Sequence, residues 1–194
     1  QETKKRLGDA GIKMPACYCR KLAEKDACRR LFDFCREMGI EMVDGEPPFE
    51  AYDMLEKLCD EYQINLAVHN HAKPSPYWEP ETLLKIFQGR SRRVGACCDT
   101  GHWIRSGLPT VETLAKFEGR LFTLDLKDLG EEGFSVPYGT GKGNIRGILK
   151  ELRRQRFRGV VGIEYGQRTP NGEAEIAQCV AFFDKVCQEL AEAR

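Results

Sequence analysis

The chain has no C-x-x-C pair, no apolar run near the length of a membrane span, no excess of either charge, and only three histidines in 194 residues. Each absence removes a class of function. Without C-x-x-C there is neither a zinc ribbon nor a thioredoxin-type redox motif. A bilayer needs about twenty consecutive apolar residues, so no spanning helix is expected and no membrane partner is proposed. Thirty Lys plus Arg balance thirty Asp plus Glu, which leaves no bulk attraction toward nucleic acid or an anionic surface. The one arginine cluster, Arg153-Arg154-Gln155-Arg156-Phe157-Arg158, is explained by the preference for cations at a helix C-terminus. The dinucleotide fingerprint G-x-G-x-x-G is missing as well, and Gly141-Lys142-Gly143 lacks the Walker spacing of a phosphate loop.

Nine cysteines are present, but not as a disulfide framework. Cys28, Cys35, Cys59, Cys179 and Cys187 fall on the apolar faces of predicted helices, and Cys97 and Cys98 within a strand. That is small-hydrophobe usage in a reducing, cytoplasmic compartment. Cys17-Tyr18-Cys19 alone offers thiols placed to join a metal or redox site. No signal peptide is visible. The chain opens with Gln1 inside what reads as a helix, so an export signal on a preceding segment stays an alternative.

What the chain does have is a repeat of strand, polar loop, helix and glycine. Strands are expected from about residues 12, 40, 64, 94, 121 and 160, the first over 12–17. Helices are expected over 25–38, with Ala27, Leu31, Phe34, Cys35 and Met38 inward, and over 51–62. Further helices begin near Pro80 and at Thr110 as a cap, and run from the cap Asn144 to Gln155. The last covers 173–193, with Ile176, Cys179, Val180, Phe183, Cys187 and Leu190 in one stripe. Strict alternation with apolar strands means parallel strands covered by helices. Ionisable groups follow at least five strands, the one-sided distribution of a (β/α)8 barrel rather than the single switch point of an open doubly wound sheet. Only about six βα units fit, whereas a full barrel takes about 250 residues. The expectation is one domain over 1–194, an N-terminally truncated barrel lacking two strands, with an open edge near 12–17.

All three histidines sit at two strand ends: His69-Asn70-His71 after Asn65-Leu66-Ala67-Val68, and His102 in Cys98-Asp99-Thr100-Gly101-His102-Trp103. These passages, with Leu124-Asp125-Leu126-Lys127-Asp128, Ile163-Glu164-Tyr165 and the loop Val136-Pro137-Tyr138-Gly139-Thr140-Gly141-Lys142-Gly143, resemble the sugar phosphate isomerase/epimerase family. Its members are xylose isomerase-like TIM barrels in the superfamily of endonuclease IV. The resemblance implies a divalent metal held by His69, Asp99, Asp125 and Glu164. His69 then stands where many members have glutamate. Asp125 stands where the family has the histidine of a His-x-Lys-Asp pattern. It also implies that His102 contacts a substrate hydroxyl.

The chemistry fits those residue types. Interconverting an aldose and a ketose, or epimerising beside a carbonyl, removes a proton next to C=O and passes through an enediolate. Mixed imidazole and carboxylate ligands suit Mn²⁺, Zn²⁺, Co²⁺ or Fe²⁺ better than Mg²⁺. Glu164 is the candidate for ligand and base together, and His71 for a second ligand or acid/base. Lys127 is placed to polarise the enediolate. Glu46 and Lys142 would hold substrate, and Tyr77, Trp78 and Trp103 would wall a sugar. A rim salt bridge explains Lys127 and Glu46 as well, and loop anchoring explains the three aromatics. The expected function is a metal-dependent isomerase or epimerase of a small sugar or sugar phosphate, monomeric or a homo-oligomer. The alternatives are a keto-sugar lyase or dehydratase and a non-catalytic sugar-binding barrel. Endonuclease chemistry, with its three metals and basic surface, is disfavoured by the histidine count and the balanced charge.

Overall fold

The computed structural model describes residues 2–166 and 171–193. Helices and strands alternate through α1 Glu2–Asp9, β1 Ala16–Tyr18, α2 Lys25–Met38, β2 Met42–Gly45, α3 Tyr52–Tyr62, β3 Asn65–His69, α4 Pro80–Phe87 and β4 Val94–Asp99. They continue as α5 Thr100–Arg105, α6 Thr110–Ala115, β5 Leu121–Leu126, α7 Ile145–Arg154, β6 Val160–Ile163 and α8 Gly172–Glu192. The six strands form one sheet in sequential order, every neighbouring pair parallel. Among the described residues no helix is long and apolar enough to cross a membrane.

The two faces of the sheet bury different things. Toward the helices, Val43, Leu66, Val68, Ala96, Cys98, Leu124 and Leu126 join the main core with Phe32, Leu55, Leu83, Phe117 and Ile148. Truncating one of these leucines to Ala is worth about 2–5 kcal/mol. Toward the inside of the curved sheet, a small cluster of Met42, Ala67 and Cys97, flanked by Ala16 and Phe122, fills the floor. The central strand β4 is buried along its whole length, whereas β6, the last strand, is only half-buried.

Several helix boundaries follow from local chemistry. Glu24 caps α2 by accepting from the amides of Asp26 and Ala27, at 3.1 and 2.8 Å. Gly39 ends it in the left-handed region at φ 77°. Four expectations change. The first strand covers Ala16–Tyr18, not 12–17. Ile12 is exposed, and Pro15 has no amide to donate to a ladder. On α2 Cys28, Phe32 and Cys35 are the buried residues, Leu31 and Met38 pack half-buried against the same core as expected, and Phe34 is exposed. Pro109, not Thr110, precedes α6, and the Thr110 hydroxyl donates to the Gly143 carbonyl at 2.8 Å. On α8 only Cys179 and Val186 are buried, while Ile176, Val180 and Cys187 are exposed. That helix packs on α7 and β6, so a single flank of its apolar stripe is covered.

Candidate active site

Successive side chains on a strand point to opposite faces, so residues i and i+2 share one. In this sheet the inward face reads Asp44 on β2, His69 on β3, Cys97 and Asp99 on β4, and Asp125 on β5. Glu164 follows β6. His69 is in register with Cys97, and Asp99 with Asp125. All but Cys97 line one cavity of about 460 Å³ at the C-terminal strand ends, together with Ala16, Tyr18, Arg20, His71 and His102.

Hydrogen bonds between strand ends fix this rim. Asn70 is pinned reciprocally to Asp99, its amide donating to the Asp99 carbonyl at 3.0 Å and its oxygen accepting from the Asp99 amide at 2.7 Å. The Thr100 hydroxyl accepts from the Lys127 amide at 2.8 Å and donates to the Lys127 carbonyl at 3.0 Å. Helix α5, not anticipated from the sequence, begins directly after β4. Asp99 caps it by accepting from the His102 amide at 3.1 Å. Gly101 is required there, because a Cβ would stand 2.6 Å from Lys127 Cδ. Leaving it bare lets the lysine stem pass to the carboxylates.

The charged groups converge. Lys127 Nζ lies 2.6 Å from Asp99 Oδ2 and 2.8 Å from Glu164 Oε1. His69 Nε2 lies 3.5 Å from Asp125 Oδ2 and 3.8 Å from Asp99 Oδ2. The three histidine rings cluster, His71 with His102 at 4.2 Å and His69 with His71 at 4.8 Å between centroids. His71 Nδ1 is bonded to Glu46, whose other oxygen accepts from the Ser75 hydroxyl at 3.2 Å.

Burial and neighbours set the protonation preferences. Burial lifts Asp44 to about 6, with nearby Asp125 adding to it and His69 opposing. Burial brings His102 down to about 4 against the pull of Asp99, assisted by the positive potential of His71 and Lys127. Burial also opposes a charged His69, but the hydrogen bond to Asp125 and the fields of Asp44 and Asp99 outweigh it and raise its pKa. The same pairing, with help from Cys97 and Lys127, lowers Asp125 against burial. Lys127 is likewise raised, burial being outweighed by Asp99 and Glu164.

Of the sequence-derived candidates, His69, His71, Asp99, His102, Asp125, Lys127 and Glu164 come together, with Glu46 behind His71. Three aromatics do not wall the cavity. Trp103 is buried at 1 % exposure and stacks on Phe117 at 5.9 Å. Tyr77 is buried and accepts from the Tyr52 hydroxyl at 3.1 Å. Trp78 lies under the Lys73 ammonium, 4.0 Å from its ring centroid. Lys142 points away and pairs with Glu131 at 2.6 Å. Its loop is no anion cradle. The amides of Gly139, Gly141 and Gly143 already donate to the Asp128 carboxylate at 2.8, 3.1 and 2.8 Å. Sequence reasoning missed Asp44, Tyr18, Arg20 and Cys97. The signal for Asp44 was present, because it stands two residues before Glu46 at the end of an apolar strand.

Residues 2–186 match the profile of the family described as xylose isomerase-like TIM barrel. The chain belongs to that family. Its sequential parallel sheet is thus part of a TIM barrel, and the cavity lies where such barrels place their sites, at the C-terminal strand ends. A solved structure of an uncharacterised protein from Parabacteroides distasonis is 31 % identical, with a TM-score of 0.73 over 94 % of this chain and 73 % of its own. L-ribulose 3-epimerase shares the fold at 13 % identity, with a TM-score of 0.80 over 99 % of this chain and 80 % of that one. The IolI protein, solved with a bound zinc atom, does so at 18 % identity, with a TM-score of 0.72 over 96 % and 82 %. No curated protein matches.

A divalent cation suits the donors of this xylose isomerase-like barrel. Oxygens of Asp99, Asp125 and Glu164 lie within 4.8 Å of one another, as do donor atoms of His69, Cys97 and Asp125. Asp44 adds a buried oxygen, Oδ1, with no hydrogen-bond partner among the described residues.

Proposed function

We propose that the chain is a metal-dependent isomerase or epimerase acting on a small sugar or sugar phosphate. The observation that carries this reading is a single cavity in which Glu164 and the buried Asp99 share the Lys127 ammonium beside the His69–Asp125 pair. His69, Asp99, Asp125 and Glu164 are the candidate ligands, and a divalent cation bound there supplies Lewis-acid stabilisation of enediolate charge.

The chain's own groups divide the remaining work. Glu164 is the most exposed carboxylate of the set, its side chain 48 % accessible, so it can reach a substrate carbon and take its proton. Lys127 orients that carboxylate and puts positive charge where the enediolate oxygens develop. His71, held by Glu46 and in turn by Ser75, is the second proton-transfer group, approaching from the β3 side. His102 remains neutral at physiological pH and offers a substrate hydroxyl a hydrogen bond. The fold shared with an epimerase and with a zinc-binding barrel supports this reading.

The test is incubation of the full chain with ketoses, aldoses and their phosphates in D2O, with Mn²⁺, Co²⁺, Zn²⁺ or Mg²⁺, followed by NMR. An isomer carrying solvent deuterium at the carbon next to the carbonyl is the expected product. An elimination product would assign a dehydratase instead. Stoichiometric metal with neither exchange nor product would make the barrel a binding protein.

A further inference from the structure

The charges on the two sides of Asp125 are unevenly partnered. Toward β6, Lys127 Nζ already occupies the gap between Asp99 Oδ2 and Glu164 Oε1, at 2.6 and 2.8 Å. Toward β2 no lysine or arginine pairs with a carboxylate among the described residues, and Arg20 on that rim is exposed. There Asp125 Oδ2 stands 3.5 Å from His69 Nε2 and accepts from the Cys97 thiol at 3.4 Å. The thiol also faces Asp44. Asp44 is 9 % exposed, lines the cavity, and carries the unpartnered Oδ1. Leaving such an acceptor unmatched costs about 1–3 kcal/mol, and more when it is charged. An imidazole, a thiol and a carboxylate around one point, with the Asp44 carboxylate facing the thiol, suit a four-coordinate ion with bonds of about 2.0–2.3 Å. Ligand atoms of His69, Cys97 and Asp125 within 4.8 Å of one another are compatible with that geometry.

We propose that the cation seats on this side of Asp125, bound by His69, Cys97 and Asp125 with Asp44 as fourth ligand, and that it belongs to the thiophilic class of Zn²⁺ and Co²⁺. The inference rests on the reading that the cavity holds a cation, and exchanges Asp99 and Glu164 in its ligand set for Cys97 and Asp44. Asp99 and Glu164 stay with Lys127 and are left for positioning and proton transfer. Binding exchanges the Cys97 S–H bond for a sulfur–metal bond and releases that proton to solvent. Thiolate selects zinc-like ions over Mg²⁺ and Mn²⁺. Gly162 leaves room for Asp125 to serve this side, since a Cβ there would stand 3.2 Å from Asp125 Oδ1.

The test is a Co²⁺ titration of the full chain carrying Cys17→Ser, Cys19→Ser and Cys187→Ser, so that every remaining thiol is buried. One equivalent of Co²⁺ should produce a thiolate-to-cobalt charge-transfer band in the near ultraviolet and intense visible bands of a four-coordinate ion. Adding Cys97→Ser should abolish the charge-transfer band. Saturable binding without that band would place the ion on Asp99, Asp125 and Glu164 and overturn the proposal. So would a band that survives Cys97→Ser, or no binding at all. If circular dichroism shows that Cys97→Ser does not fold, zinc-edge X-ray absorption of the triple variant decides. One sulfur neighbour at about 2.3 Å supports the seat, and a shell of oxygen and nitrogen alone overturns it. A positive cobalt spectrum without turnover of any sugar would sink the isomerase reading and leave this one standing. Isomerase activity with a sulfur-free ion would do the reverse.

Discussion

On the β6 side of the cavity an ammonium stands between two carboxylates, while on the β2 side an imidazole and a thiol face two carboxylates that pair with no lysine or arginine among the described residues. Both walls arise from the same alternation, in which every second residue at a strand end points inward. What separates them is the residue two places beyond Asp125. Lys127 folds back past Gly101 to Asp99 and Glu164 and leaves Asp44 without an equivalent. One wall is finished by the chain itself. The other keeps its demand for positive charge, and that demand makes it suited to a cation.

The difference between the two walls depends most on Lys127. Replacing it with Met strands the buried Asp99 carboxylate, and breaking a buried pair in this way costs about 3–5 kcal/mol. Urea denaturation at pH 7 should show that loss, together with abolished activity. A loss under about 1 kcal/mol would mean that the β6 wall is not held by this pair.

Next comes Asp44→Asn, whose sign should depend on metal. Burial lifts the folded carboxyl to about 6 from its ordinary 3.8, so the folded state holds this proton to higher pH than the unfolded one. Stability is therefore lost as pH rises from about 4 to 6, and the loss persists above. With chelator present at pH 8, Asp44→Asn should stabilise the protein by up to about 3 kcal/mol, the free-energy equivalent of the rise from 3.8 to about 6. With Zn²⁺ present the substitution removes the proposed fourth ligand, so any zinc-induced rise in Tm should shrink. Stabilisation of equal size in both conditions would separate Asp44 from the cation.

A smaller effect is expected at His102. Its folded pKa falls to about 4 from 6.5, mainly through burial, so the unfolded chain takes the proton first as pH drops. The chelated protein should lose about 2–3 kcal/mol between pH 6.5 and 4 through this group. His102→Gln should flatten that part of the stability profile. The smallest effect is expected at Lys142→Ala. Its partner Glu131 is exposed, and exposed ion pairs contribute about 0–1 kcal/mol. Activity should change less than about twofold, whereas a tenfold loss would return Lys142 to the site.

Much of this architecture was legible in the sequence. The apolar runs ending at Val68, Cys98, Leu126 and Ile163 located strands within a residue or two, and the ionisable groups just beyond them identified the rim. Residues whose placement depends on distant packing were not legible. Trp103 follows His102 directly, but the unforeseen helix α5 turns its ring outward onto Phe117 in the core. Lys142 sits between glycines that suggest an anion site, and the competing anion, Asp128, comes from the preceding strand's end. Asp44 follows the largely apolar run 40–43 at a strand end, but nothing in its own sequence context gives the face it occupies. Only the register of β2 against β3, with Asp44 beside Ala67, shows that it shares the inward face with His69. The two departures from the family pattern also read differently in three dimensions. His69 and Asp125 are 3.5 Å apart, so one imidazole and three carboxylates remain at the site with the histidine and a carboxylate exchanged between strands.

Asp125 is the carboxylate common to both donor groups. The most direct test of its role as a ligand is calorimetric titration of Zn²⁺ into the chelator-treated full chain and into Asp125→Asn. The expected result is one saturable site per chain in the first and a loss of at least tenfold in affinity in the second. No saturable binding, or equal binding in both, would contradict that role.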